Sequence, residues 1–133
     1  MICLDTDVVS VFLRRGAPPP AQRRLAETVA ESHATTSVTL GELLYGAARR
    51  GSATLMAAVH EYLLRDVTVV PFDEASARVY ATIRVDLEAA GRPLDRSDLQ
   101  IAAICLAHDL TLVTGNTRHF ERVPGLRVEN WLE

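Results

Sequence analysis

Three acidic residues stand where a strand-like segment ends and a helix is predicted to begin. Asp5 closes the apolar run of residues 1–4, and Glu42 and Asp98 lie at two later helix starts. A short apolar run that ends in a charge is typical of a strand buried on both faces. Because open α/β sheets hold their ligands at the carboxyl ends of their strands, we expect the fold to gather these three carboxylates into one metal site.

Two of these acids also have a structural interpretation as helix caps. Asp5 can accept a backbone N–H of the helix that follows it, although Thr6 and Asp7 compete for that role. Asp7 itself is expected to be a cap or a solvent-facing residue of the first turn. Glu42 completes the sequence that starts at Thr39 and matches a capping box. The residues alone leave both interpretations of Asp5 and Glu42 open.

The third acid, Asp98, lies in a sequence where other residues are the expected caps. Ser97 and Gln100 match a capping-box pattern, which leaves the Asp98 carboxylate free for another role. The dipole of the helix start lowers the cost of keeping that carboxylate ionised. Asp95, in the loop that precedes this helix, is a less favoured candidate for the same site.

Carboxylates that meet at one point cannot all stay ionised without a countercharge. A hard divalent cation with oxygen ligands, Mg²⁺ or Mn²⁺, meets that need better than zinc does. Such an ion binds a phosphate oxygen and lowers the pKa of a bound water, which then attacks phosphorus in line. The sequence contains no lysine, which excludes Schiff-base, P-loop and receiver-domain chemistry. The 4 histidines have no ligand spacing between them.

Alternating strand and helix patterns predict the elements that position these acids. The predicted strands are residues 1–4, 33–37, 67–70, 111–114 and 126–129, and the predicted helices are residues 8–13, 22–31, 39–50, 53–64, 74–90 and 97–108. Prolines 18–20 are expected to form a loop between the first two helices. The alternation favours one α/β domain, residues 1–133, with a central parallel sheet of about five strands covered by helices on both faces.

Composition indicates the partners and the cellular environment expected for this domain. The net charge of −3 gives no general positive field that would indicate a nucleic-acid partner. Cys3 and Cys105 fall in apolar runs, which favours buried, reduced thiols in a cytoplasmic protein. No signal peptide and no membrane-spanning run is recognised, so we expect no membrane association.

Four motifs follow one another in chain order. They are LDTD at residues 4–7, SVTLGELLYGA at 37–47, SDLQIAA at 97–103, and LVTGNTRHF at 112–120 followed by VPGL at 123–126. Together they resemble the PIN domain, and in particular the VapC-type toxins of bacterial toxin–antitoxin pairs. Each motif is weak by itself, but four in order over essentially the whole chain are a specific signal.

The resemblance implies a metal-dependent ribonuclease with the PIN-like three-layer α/β/α sandwich. Asp5, Glu42 and Asp98 take the places of the family's metal-binding acids. Thr114 and Asn116 take the places of residues that hold a metal-bound water or the scissile phosphate, so Asn116 joins the expected catalytic set. The resemblance also implies a homodimer and a tight complex with a cognate VapB-type antitoxin that blocks the site.

Two departures from the family pattern concern charged positions. Asp7 stands where the opening motif usually has Asn. His119, followed by Glu121, stands where many relatives carry another acid. The second departure leaves open whether the site holds one metal ion or two.

An RNA substrate requires positive contacts to its phosphates. Arg118 lies within the fourth motif, and the arginine pairs at residues 14–15, 23–24 and 49–50 are further candidates, although a solvated helix end is the more common explanation of each pair. We therefore predict a Mg²⁺- or Mn²⁺-dependent endoribonuclease toxin that cleaves structured RNA, either tRNA or rRNA. The alternative is a catalytically weak or inactive PIN-fold module that binds RNA or protein.

Overall fold

Strands and helices alternate over residues 1–29 and 32–133, the part of the chain that the computed structural model describes. The strands are β1 (Ile2–Leu4), β2 (His33–Thr36), β3 (Thr68–Val70), β4 (Thr111–Val113) and β5 (Val128–Glu129). The helices are α1 (Thr6–Arg15), α2 (Pro19–Ala26), α3 (Ser37–Arg50), α4 (Ala53–Arg65), α5 (Glu74–Ala89), α6 (Arg96–Ala107) and α7 (Thr117–Phe120). All paired strands are parallel, in the order β3-β2-β1-β4-β5. The predicted five-stranded parallel α/β fold is confirmed.

The sheet separates two apolar layers. Consecutive residues of a strand face opposite sides of a sheet. Cys3 and Leu112 accordingly lie in the cluster that includes buried residues of α5 and α6. Leu4 and Val113 lie in the other cluster, with buried residues of α1, α3 and α4. The three-layer α/β/α arrangement follows from this alternation, and Cys3 and Cys105 are buried free thiols, as predicted.

The order of the strands creates a crevice at the centre of the sheet. The chain adds β2 and β3 on one side of β1, and then returns to add β4 and β5 on the other side. The carboxyl ends of β1 and β4 are therefore the topological switch point, where open α/β sheets bind ligands. Backbone bonds continue past the strand ends there: the Asp5 N–H donates to the Val113 carbonyl at 2.9 Å, and the Thr114 N–H donates to the Glu129 carbonyl at 2.9 Å.

The second helix differs from its prediction at both ends. Pro19 and Pro20 form its first turn instead of a loop, because the first N–H groups of a helix need no partner within the helix. The helix stops at Ala26, and the Thr28 hydroxyl donates to the Leu25 carbonyl at 3.1 Å, a local bond that competes with continued helix. The predicted end at Glu31 lies outside the described residues. Among the described residues, the helices are all too short or too polar to span a bilayer.

Candidate active site

Asp5 follows β1 directly and is held by donors on two sides. Its Oδ1 accepts the Thr6 N–H at 2.8 Å, which makes Asp5 the N-cap of α1, and its Oδ2 accepts the Thr114 hydroxyl at 2.8 Å. The residue is only 6% exposed. Burial is the main cause that raises its pKa from 3.8 to about 7. The hydrogen bonds from Thr114 and Thr6 lower the pKa, and the charges of Asp7 and Asp98 raise it further. Asp5 thus combines the capping role with a place in the acidic site.

The end of β4 holds a second carboxylate beside Asp5. Asp7 Oδ2 accepts the Gly115 N–H at 2.9 Å, and Asp7 Oδ1 lies 3.5 Å from the Thr114 hydroxyl oxygen. The Thr114 hydroxyl oxygen accepts the Asn116 N–H at 3.1 Å. Thr114, which is fully buried, therefore connects Asp5 to the loop that carries Asn116.

Glu42 does not form the predicted capping box. α3 begins at Ser37, two residues earlier than predicted, because Thr36 is the N-cap and accepts the Thr39 N–H at 3.0 Å. The Glu42 carboxylate instead accepts the Thr6 hydroxyl at 2.8 Å. Thr6 is 3.1 Å from the Thr39 hydroxyl, which accepts from the Thr36 hydroxyl at 3.3 Å. Since a carboxylate only accepts, the three hydroxyls donate in sequence towards Glu42.

Asp98 is free of a capping role, but the cap differs from the one predicted. Asp95, and neither Ser97 nor Gln100, caps α6 by accepting the Asp98 N–H at 2.9 Å. The Asp98 carboxylate is 2.7 Å from His119 Nε2. Burial is the main cause that raises the pKa of Asp98, followed by the charge of Asp95, while His119 lowers it. Single ligand atoms of Asp95, Asp98 and His119 lie within 4.8 Å of one another.

A cavity of about 430 Å³ lies at the carboxyl ends of β1 and β4 and brings the predicted residues together. Asp5, Glu42, Asp98 and Asn116 all line it. Thr114 lies behind Asp5 without lining the cavity. Arg118 is exposed on α7 and does not belong to the wall, so its contact with a phosphate stays a prediction.

The cavity wall also includes Asp7, Ser10 and Val11, which were not predicted to belong to the site. Together with Arg14, one of the predicted phosphate contacts, they line it from α1. Their spacing of three or four residues places them on one helix face, and this spacing is the signal that would have found them. Asp7 lies in the first turn of α1, as expected, but Asp5 is the cap. Asp7 is half-buried, because the loop after β4 approaches it from a distant part of the chain.

The fold and the cavity define a class of protein: a parallel α/β sandwich with carboxylates gathered at the switch point of its sheet. The family model described as the PIN domain matches residues 2–126. The chain therefore belongs to the PIN-domain family, which confirms the family predicted from the four motifs.

Relatives of known name are similar over nearly the full length. The tRNA(fMet)-specific endonuclease VapC of Shigella flexneri is 36% identical over 96% of this chain and 96% of its own length. Ribonuclease VapC2 of Haemophilus influenzae is 32% identical over 97% of this chain and 96% of its own length. Among solved structures, DNA-bound VapBC from Salmonella typhimurium superposes with a TM-score of 0.87 at 31% identity, over 98% of this chain and 99% of that one.

Replacing Asp5 by Asn should change how the stability of the metal-free protein depends on pH. A folded pKa of about 7 against an ordinary value of 3.8 means that the folded state holds a proton that the unfolded chain releases. Wild-type stability should therefore fall as pH rises from about 4 to about 7, by up to about 4 kcal/mol for this one group. Urea unfolding in a chelator, from pH 4 to pH 8, measures the difference between wild type and Asp5→Asn. A difference that does not vary with pH would contradict the assignment.

Replacing Thr114 by Val should raise the pKa of Asp5 further, because the Thr114 hydrogen bond lowers it. The same change leaves the Asn116 N–H without its acceptor. We expect a loss of stability of about 1–3 kcal/mol. Carboxyl-carbon NMR titration of Asp5 in both proteins checks the direction, and Thr82→Val, on the exposed surface of α5, is the matched control.

Proposed function

We propose that this chain is a metal-dependent endoribonuclease and the toxin of a VapBC-type toxin–antitoxin pair. The observation that carries the proposal is the convergence of Asp5, Glu42 and Asp98 on one cavity at the switch point of the sheet. The relatives named as VapC ribonucleases support the reaction class. The similar VapBC complexes support the pairing with an antitoxin.

The donor set fits Mg²⁺ or Mn²⁺. Carboxylate oxygens are hard ligands, and three acids that line one cavity supply the negative charge that such an ion needs. Among the described residues, Glu42 Oε2 and Asp98 Oδ1 receive no hydrogen bond, so each is free to bind an ion. A bound ion would polarise a phosphate oxygen and generate a nucleophilic water at neutral pH.

The chain's own residues hold these ligands and the substrate in place. The Thr114 hydroxyl orients Asp5, the Thr6 hydroxyl orients Glu42, and His119 orients Asp98. Fixed ligands lose little free energy to reorganisation when the charge of the transition state develops.

Substrate contacts would come from polar and positively charged residues in and near the cavity. Asn116 lines the cavity, and its side-chain amide would donate to the scissile phosphate. Arg14 on the wall and the exposed Arg118 supply positive charge for the neighbouring phosphates. This arrangement suits cleavage within an RNA chain, where phosphates continue on both sides of the scissile bond.

We take structured RNA, tRNA or rRNA, as the substrate class, and the Shigella flexneri relative named as tRNA(fMet)-specific makes tRNA the first substrate to test. A cognate VapB-type antitoxin is the proposed inhibitor, and the toxin is proposed to act as a homodimer. An apolar groove adjoins the cavity through Thr6, Arg14 and Glu42, and Leu13, Leu43, Leu55 and Val59 give it a surface that suits an antitoxin side chain.

Replacing Asp98 by Asn should abolish RNA cleavage while the fold persists. The amide keeps the size of the side chain and removes a charged ligand, so we expect the cleavage rate to fall by about 100-fold or more. The measurement is the rate of tRNA cleavage in Mn²⁺, and in Mg²⁺, with a chelator as the blank. Asp86→Asn, on the exposed face of α5, is the control and should cleave at the wild-type rate.

The proposed mechanism is wrong if purified Asp98→Asn cleaves RNA as fast as wild type. If wild type itself cleaves neither tRNA nor rRNA with either metal, yet binds RNA or the antitoxin, the alternative of a non-catalytic PIN-fold binding module is supported. Equal thermal unfolding midpoints of the variants in chelator show that a loss of rate is not a loss of fold.

A further inference from the structure

Asp7 brings a fourth carboxylate to the cavity, and its position is fixed by the backbone of the β4 loop. Asp7 Oδ2 accepts the Gly115 N–H at 2.9 Å. A Cβ at position 115 would lie 2.8 Å from Asp7 Oδ2 and 3.0 Å from Leu132 Cδ1, closer than such atoms normally approach. Glycine at 115 thus permits the close contact that holds this carboxylate against the loop.

The other oxygen of Asp7 has no strong donor within the described part of the chain. Asp7 Oδ1 is 3.5 Å from the Thr114 hydroxyl, but the single hydroxyl proton is directed to Asp5 Oδ2 at 2.8 Å. The salt bridges between described residues do not include Asp7, although Arg14 lines the same cavity. Asp7 Oδ1 is therefore available to a cation beside Asp5.

The acids of the cavity differ in the groups that face them. Asp98, on one wall, is 2.7 Å from the imidazole of His119. Asp5 and Asp7, on the other wall, face hydroxyl and backbone N–H donors, which carry no full charge. Asp5 and Asp7 thus have no charged partner among the contacts of the described residues, and a cation on the side of β1 would supply one.

We propose that Asp7 is a further metal-binding residue, which joins Asp5 in holding the divalent cation on the β1 side of the cavity and contributes through its charge. This inference rests on the proposed metal-dependent function. Asn at this position would keep the contact with the Gly115 N–H, because its side-chain oxygen accepts a hydrogen bond equally well, and it would remove one negative charge. Charge and hydrogen bonding can therefore be separated by a single isosteric substitution.

The test is calorimetric titration of the metal-free full chain with MnCl₂ at pH 7.5, without RNA. Asp7→Asn should bind Mn²⁺ about tenfold more weakly than wild type, since one charge is lost next to the ion. Asp98→Asn should also bind more weakly, whereas Asp86→Asn should match wild type within about twofold. Thermal unfolding in chelator should show that Asp7→Asn is folded. If the Asn variant does not fold, Asp7→Ser, which also lacks the charge, takes its place. Its Mn²⁺ affinity is then compared with that of wild type in the same way.

An Mn²⁺ dissociation constant for the folded Asp7 variant within about twofold of wild type would overturn this inference and leave the proposed function intact. Failure of wild type to bind Mn²⁺ at millimolar concentration would instead overturn the metal-dependent function, and the inference with it. A tenfold loss in the Asp7 variant together with an unchanged Asp86 control is the result that supports it.

Discussion

Repulsion between carboxylates is the constraint on which this site depends. Asp5, Asp7, Glu42 and Asp98 line a single cavity, and their charges raise the pKa of Asp5 and of Asp98 in addition to the larger effect of burial. Like charges in a partly buried cavity are costly to hold ionised. A cation would offset that repulsion, which is the physical basis of the proposed metal-dependent function.

Neutral donors stabilise most of these carboxylates in the absence of a cation. Thr114 and the Thr6 backbone donate to Asp5, Gly115 donates to Asp7, and the Thr6 hydroxyl donates to Glu42. A hydroxyl or amide dipole fixes the orientation of a carboxylate without cancelling its charge. Arginine in these places would have neutralised the acids and competed with a metal ion. These neutral hydroxyl and N–H donors thus fix the orientation of the acids and leave their negative charge in the cavity.

Parallel topology explains why residues so distant in sequence form one site. β1 and β4 are neighbours in the sheet, and the segments that leave their carboxyl ends begin with Asp5 and Thr114. α3 and α6 begin on the two sides of this crevice and bring Glu42 and Asp98 to it. The fold as a whole is similar to solved VapBC structures over nearly the whole chain, with TM-scores of 0.85 and 0.87 at 28% and 31% sequence identity.

The sequence by itself determined the fold class, the strands and most helices, because hydrophobic periodicity is a local signal that a parallel α/β sheet repeats five times. It also indicated the acids worth testing, since Asp5, Glu42 and Asp98 each stand near the start of a helix and within one of the four motifs. It did not determine which residues cap those helices: Thr36 and Asp95 replace the predicted Thr39 and Ser97. Residues that can cap a helix recur within a few positions of one another, so the local sequence does not decide between them.

Tertiary structure alone decided the roles of Asp7, Thr6 and His119. Thr6 binds Glu42, which is 36 residues away in sequence, and Asp7 binds Gly115, which is 108 residues away. His119 contacts Asp98 from a separate helix. A side chain's local sequence carries no information about a partner at that distance. Strand order sets these contacts, and strand order follows from the burial of the whole sheet between two helical layers, which is a property of the entire chain.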